Sequence, residues 1–229
     1  ITWQDTTVLL KNYGCIKLEN IQIFIKLNKK IILSKITSMT EINISKWVKP
    51  LENYKKIKVK TFLKGLEEEN FTHLGDFKLT ENKRILWDIS VKNQNKELYE
   101  KRQNGVYIIT HGNNIIKIGG TKTGMKARIN SYHCGHCIPE RKKKNGKPYP
   151  GKMSVTNAYI YNTIYEYLKK DHTFSLYFYP IPDIIVTKKV FGKTKTFIVQ
   201  CYDEYEKEAL NLYKIQVKEF PILSDNSHP

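Results

Sequence analysis

Long apolar runs are missing from this chain of 229 residues. A membrane-crossing helix needs about 20 consecutive apolar residues, and the apolar stretches here are only strand-length. A helical membrane protein is thereby excluded, and an intracellular, cytoplasmic protein is expected. Cysteine is scarce as well. The four present, Cys15, Cys134, Cys137 and Cys201, are too few and too scattered for a disulfide scaffold, which favours a reducing compartment. Acidic residues are outnumbered, 22 against 39 Lys and Arg, and the formal net charge is +17. The usual partner of such a field is nucleic acid or an anionic membrane surface. The richness in Lys, Asn, Ile and Tyr also matches codon drift in AT-rich genomes, so charge alone does not decide the function. No internal repeat is visible.

What is present divides into two stretches. Residues 1–95 carry short β-rich runs at Ile21–Ile25, Lys30–Leu33 and Ile57–Lys60, with a short helix expected over Thr40–Val48 and stopped by Pro50. Glu67–Glu69 and Gly75-Asp76 read as solvated connections. This part is expected to be an extension that binds DNA or holds a second subunit. Residues 96–229 have a clearer order: strands over 105–110 and 114–119, a helix over about 124–133, a basic loop, and a helix over about 154–170. Strands near 174–180 and 194–199 and a last helix over about 201–218 complete it. The expected fold class is α+β, a small, mainly antiparallel sheet flanked by helices.

The first two strands of that order carry the chemistry. Gly105-Val106-Tyr107-Ile108-Ile109 and Lys117-Ile118-Gly119-Gly120 flank a Gly112-Asn113 turn, and Gly and Asn tolerate the positive φ that tight hairpins require. Arg128 follows eleven residues after Lys117 in a segment of helical spacing. A tyrosine, a lysine and an arginine so placed can surround one phosphate. Phosphodiester hydrolysis needs an activated water, charge stabilisation at the phosphoryl oxygens and help for the leaving oxygen. Ionising a tyrosine of ordinary pKa near pH 7 costs roughly 4 kcal/mol. An ammonium about 4 Å away returns roughly 4 kcal/mol at an effective dielectric near 20. Tyr107 can thus serve as general base with Lys117 beside it, and Arg128 suits the scissile phosphate as a forked donor.

Gly105-Val106-Tyr107, Lys117-Ile118-Gly119, Arg128, a late helix with Glu206 and Glu208, and the closing Pro221 to Asn226 resemble the GIY-YIG nuclease superfamily over roughly residues 104–226. Lys117 departs from that pattern, which has a second tyrosine there. A lysine in its place resembles a compact branch of type II restriction endonucleases. The resemblance implies a GIY-YIG-like nuclease core, an Mg2+ or Mn2+ ion held by one glutamate, and a terminal asparagine, Asn226, that orients the metal or the base. Glu206 has Ala209, Leu210 and Tyr213 at helical offsets and so lies on the stripe facing the sheet. Glu208 has Leu212 and Tyr205 at usable offsets on another face, and the choice between the two stays open.

Two further motifs flank the arginine helix. His133-Cys134-Gly135-His136-Cys137 could furnish half of a Zn2+ site through Cys134 and Cys137. Alternatively His133 or His136 lies near the scissile phosphate, as the resemblance implies, or the segment simply packs a helix end. The insertion over about 138–152 carries Arg141, Lys142, Lys143, Lys144, Lys147 and Lys152, and reads as a clamp on the DNA backbone whose grip should weaken with salt. The sequence therefore points to a metal-dependent endonuclease on double-stranded DNA, working as a homodimer at least on DNA. Its rivals are a homing or mobile-element nuclease of the same superfamily and a non-catalytic basic nucleic-acid-binding protein on the same scaffold. Homing enzymes usually append their binding modules after the nuclease, whereas here the extension precedes it.

Overall fold

The computed structural model describes residues 47–66, 71–81, 85–134 and 155–224. The strands expected at 21–25 and 30–33, the basic insertion, His136, Cys137 and Asn226 lie outside them. By backbone contacts the chain divides into Ile1–Ile44 and Ser45–Pro229, and all the described residues belong to the second unit.

Five antiparallel strands form one sheet in the order β2-β1-β5-β3-β4: β1 Thr72–Leu79, β2 Trp87–Val91, β3 Gly105–His111, β4 Asn114–Thr121 and β5 Phe174–Pro180. The chain is α+β with a mainly antiparallel sheet, as its sequence implied. Alternation along β3 sends Tyr107 and Ile109 to one face, and Val106 and Ile108 to the other. The first face is covered by helices α3 (Met125–His133) and α4 (Val155–Leu168) through Met125, Ile129, Tyr132, Ile160, Tyr161 and Ile164. The second is covered by α1 (Val59–Gly65) and α5 (Tyr202–Val217) through Val59, Phe62, Ala209, Tyr213 and Val217. Between β2 and β3 the chain makes a short 3-10 turn at Asn93–Asn95 and a helix α2, Lys96–Glu100.

Several expectations are corrected. Ile57–Lys60 is not a strand: Lys58 makes a single bridge to Asn114, and the chain then turns into α1. Val59 and Phe62 are three residues apart, and that spacing buries both on the helix. Gly75-Asp76 is not a solvated turn but sits inside β1, paired with Val91 and Ser90. Gly75 is required there because a Cβ would lie 2.2 Å from the Ser90 carbonyl oxygen. The expected division at residue 95 falls between strands of one sheet, since β1 and β2 hydrogen-bond into it ahead of β3. Finally, the strand near 194–199 stays out of that sheet: among the described residues β7 (Lys193–Val199) pairs with β6 (Ile184–Val190), a strand the sequence pattern did not reveal.

The hairpin of β3 and β4 closes through Gly112 at φ 56°. Its register shifts between Ile109 and Thr110, so that Thr110 faces Ile115 while Ile109 faces Lys117. Ile116 is the extra residue of a β-bulge, which re-aims the rest of the strand. Counting back from the turn without that bulge, Lys117 would pair with Ile108 and face away from Tyr107. The bulge turns it to the Tyr107 side. The outer edge of β4 is occupied: Ile115 donates to the Ile57 carbonyl at 3.0 Å, Leu223 donates to the Ile116 carbonyl at 2.8 Å, and the Ser224 hydroxyl bonds both backbone groups of Ile118 at 2.9 Å.

Candidate active site

Tyr107 stands directly opposite Gly119 across the hairpin. A Cβ on Gly119 would lie 2.3 Å from the Tyr107 hydroxyl oxygen, so the phenol rests on bare backbone that only glycine leaves open. The ring is buried, and its hydroxyl hydrogen-bonds the hydroxyl of Tyr132, from the last turn of α3. One turn earlier on that helix, Arg128 donates to the Gly120 carbonyl at 2.6 Å. Its guanidinium lies 5.8 Å from the centroid of the Tyr107 ring and 5.9 Å from that of Tyr132. Helical spacing of four places Arg128 and Tyr132 on one face, and both close on the end of the hairpin.

Glu206 arrives from the opposite side of the sheet. It begins the α5 stripe that continues through Ala209, Tyr213 and Val217, and its carboxylate reaches Gly120, where a Cβ would lie 2.6 Å from Oε2. Tyr202, one turn earlier, comes within 2.7 Å of the same point. The two glycines therefore thin the sheet at one spot, and groups from both faces meet over it. Glu206 is partly buried, whereas Glu208, two residues on, is exposed. Of the two, it is Glu206 that exerts an electrostatic influence on Tyr107, Lys117, Arg128 and Tyr132.

The electrostatics set the protonation states. Burial pushes the Tyr107 hydroxyl above the usual tyrosine range; Arg128 and the hydrogen bond from Tyr132 pull it down, and Glu206 pushes it up. Burial wins. Arg128 is a cation that eases ionisation of Tyr107. Lys117, only 7% exposed, is itself displaced: burial brings its ammonium down to about 8, against the attraction of Glu206 and with the repulsion of Arg128. It is therefore a group that exchanges its proton close to neutral pH.

Of the other expected residues, His133 and Cys134 are among those described. His133 is buried at the end of α3, its ring 4.8 Å from Trp87 and 6.2 Å from Tyr161, within the core of that face. Cys134 is exposed, with its thiol on the Asn130 carbonyl at 3.6 Å. Among the described residues no group of three or more His, Cys, Asp or Glu side chains comes close enough to hold a metal. Nor is any helix among them long and apolar enough to cross a membrane. Sequence reasoning missed Tyr132, Tyr202 and Ser224. Tyr132 carried one signal: it falls four residues after Arg128.

No protein-family model matches the chain, and no curated protein matches it. Among known structures, it is similar to restriction endonuclease HPY188I in complex with product DNA, at 22% identity over 73% of this chain and 85% of that one, with a TM-score of 0.43. It is also similar to a mutant of bacteriophage T4 EndoII, at 15% identity over 69% of this chain and 95% of that one, again with a TM-score of 0.43. At these identities and scores neither assigns a residue role here.

Proposed function

We propose that this chain is a metal-dependent endonuclease that hydrolyses phosphodiester bonds of double-stranded DNA, as a type II restriction enzyme of the GIY-YIG superfamily. The observation that carries the reading is the convergence of Tyr107, Lys117, Arg128 and Glu206 on the Gly119-Gly120 end of one hairpin. The net charge of +17 supports a polyanionic substrate.

In this reading Arg128 grips the scissile phosphate through the donors that Gly120 leaves free. The neutral Lys117 amine, available near pH 8, first takes the hydroxyl proton of Tyr107, and the phenolate then accepts the proton of the attacking water. Arg128 and Tyr132 steady the phenolate so formed. Glu206 fits a hard cation. A lone carboxylate in a glycine cradle is what Mg2+ or Mn2+ accepts when phosphate oxygens and waters complete the shell. Such a cation, when bound, would supply charge neutralisation at the phosphoryl and leaving oxygens. The clamp at Arg141, Lys142, Lys143, Lys144, Lys147 and Lys152 and the orienting role of Asn226 belong to the same proposal. Cutting both strands with one such site per chain calls for a homodimer on DNA.

The test is incubation of the purified chain with plasmid DNA and Mg2+. Discrete fragments are expected. Tight binding without cutting in any divalent ion would leave a basic DNA-binding protein on a nuclease scaffold, and the endonuclease reading would fall.

A further inference from the structure

Among the described residues the β6–β7 hairpin adds nothing to the buried core. Every residue of β7 is exposed, and β6 offers only Val186 and Val190 as half-covered positions. A two-stranded ribbon alone is marginally stable in water, yet this one is held firmly at its root. Asp183 accepts a 2.6 Å hydrogen bond from Asn104, the residue just before β3, and a longer one from Gln200 at 3.4 Å. Asn104 also donates to the Ile181 carbonyl at 3.0 Å. Two residues beyond β7 the chain enters α5, which carries Glu206. The ribbon is thus rooted between the strand of Tyr107 and the helix of Glu206.

Its composition is one-sided. Residues 184–199 hold Lys188, Lys189, Lys193 and Lys195 and no acidic residue. Lys188 and Lys195 stand directly opposite each other, a like-charge pair that disfavours the free hairpin and that an anion would relieve. The root is apolar, and the cations are gathered toward the tip.

The tip is stranger still. Phe191 and Gly192 form the two-residue turn, with φ of 48° and 78°. Such turns favour Asn-Gly; a bulky residue at positive φ is strained, because its Cβ crowds the following carbonyl oxygen. Phe191 gains nothing from the fold in return, since its side chain is fully exposed. A strained, solvent-facing aromatic flanked by lysines suits the surface of a nucleic acid, where apolar wedges enter between base steps.

We propose that the β6–β7 hairpin is a DNA-reading ribbon that lies in a groove of the duplex, with its four lysines on the phosphates and Phe191 pressed into the base stack at its tip. The dimensions agree: seven residues per strand span about 20 Å, and a two-stranded ribbon fits a major groove about 12 Å wide. The proposal rests on the reading of the chain as acting on duplex DNA, and it adds a specificity element outside the hydrolytic centre.

The experiment uses the full chain and two variants, Phe191→Asn, which restores the favoured turn sequence, and a quadruple variant with Lys188, Lys189, Lys193 and Lys195 all changed to Gln. Binding to a labelled duplex is measured by fluorescence anisotropy in EDTA across a salt series. Closed circular plasmid is relaxed by a metal-independent type IB topoisomerase in EDTA with each protein bound, and topoisomers are compared after deproteinisation, because a wedge between base pairs unwinds the helix. The quadruple variant should weaken binding at least about tenfold and flatten the salt slope by about 3 to 4. The wild type should shift the topoisomers, and Phe191→Asn should bind without shifting them. Unchanged affinity, salt slope and topoisomers in both variants would overturn the ribbon, as would a loss of self-association with DNA binding intact. Plasmid cutting in Mg2+, run alongside, separates the outcomes: a wild type that cuts while the variants bind as it does leaves the endonuclease reading standing without the ribbon.

Discussion

The hydroxyls of Tyr107 and Tyr132 share a hydrogen bond within the core, beneath the guanidinium of Arg128. The bond ties the first strand of the hairpin to the helix beyond its second strand. It also gives Tyr107 a neighbour that favours its charged form against the push of burial. The pair therefore carries structural and chemical weight together, and the two can be separated by substitution.

Tyr107→Phe should cut plasmid at least about a hundredfold more slowly, the scale expected for a lost general base, while duplex affinity is retained. It also strands the Tyr132 hydroxyl in the core, which costs about 1–3 kcal/mol. Cleavage rates and thermal melting read the two effects, and wild-type cutting by this variant would remove Tyr107 as base.

Lys117 predicts a pH dependence of stability. Its folded pKa is lowered to about 8, below that of a lysine in the unfolded chain, about 10.4. Between those values the unfolded state binds more protons, so the group makes stability rise with pH across that window. At neutral pH its burial as an ammonium opposes folding by about 3 kcal/mol. Lys117→Met should therefore raise the urea midpoint at pH 7 and lose the rise between pH 8 and pH 10 relative to wild type. Cleavage, in contrast, should fail in this variant. Parallel midpoints across that range would show that Lys117 is not displaced.

Glu206→Gln and Glu208→Gln should part company. The first removes the carboxylate that rests in the Gly120 cradle, and it should abolish Mg2+-supported cleavage with binding intact. The second changes an exposed side chain and should cut like wild type. Reversed outcomes would move the metal to Glu208.

Gly119→Ala and Gly120→Ala test the thinness of the sheet. At Gly119 the added Cβ meets the Tyr107 ring, which is buried and tied to Tyr132, so overpacking should cost about 1–3 kcal/mol. Cleavage should be lost with it. At Gly120 the Cβ meets the tip of Glu206 and the Tyr202 ring. The carboxylate can swing aside, so stability should fall less while the Mg2+ concentration for half-maximal cutting rises. Thermal melting and a Mg2+ titration distinguish the two positions.

Much of the hairpin was legible in the sequence because its signals are local. Gly112-Asn113 marks the turn, and Arg128 falls within a helix that begins at Met125, as its spacing suggested. The bulge at Ile116 was not legible, because nothing in Ile115-Ile116-Lys117 distinguishes a bulge from plain alternation. The shared face of Tyr107 and Lys117 depends on it. Tyr132 was hidden among fifteen tyrosines, since its partner lies 25 residues away and only packing brings them together. Ile57–Lys60 looked like a strand because alternation over four residues is too short to outweigh the burial of Phe62. The β6 strand was missed because neither of its faces meets the core, so it left no hydrophobic period to read.

The Pro221–Ser224 segment has a consequence for assembly. By taking the outward groups of Ile116 and Ile118, with Ile57 taking that of Ile115, it stands where a sixth strand would otherwise add. An open strand edge is an invitation to indiscriminate pairing between molecules. Here the chain seals the border nearest Lys117 with its own backbone. Pairing of a second copy along the Ile115–Ile118 stretch of β4 is thereby blocked, and the edge of the five-stranded sheet left for such pairing is β2.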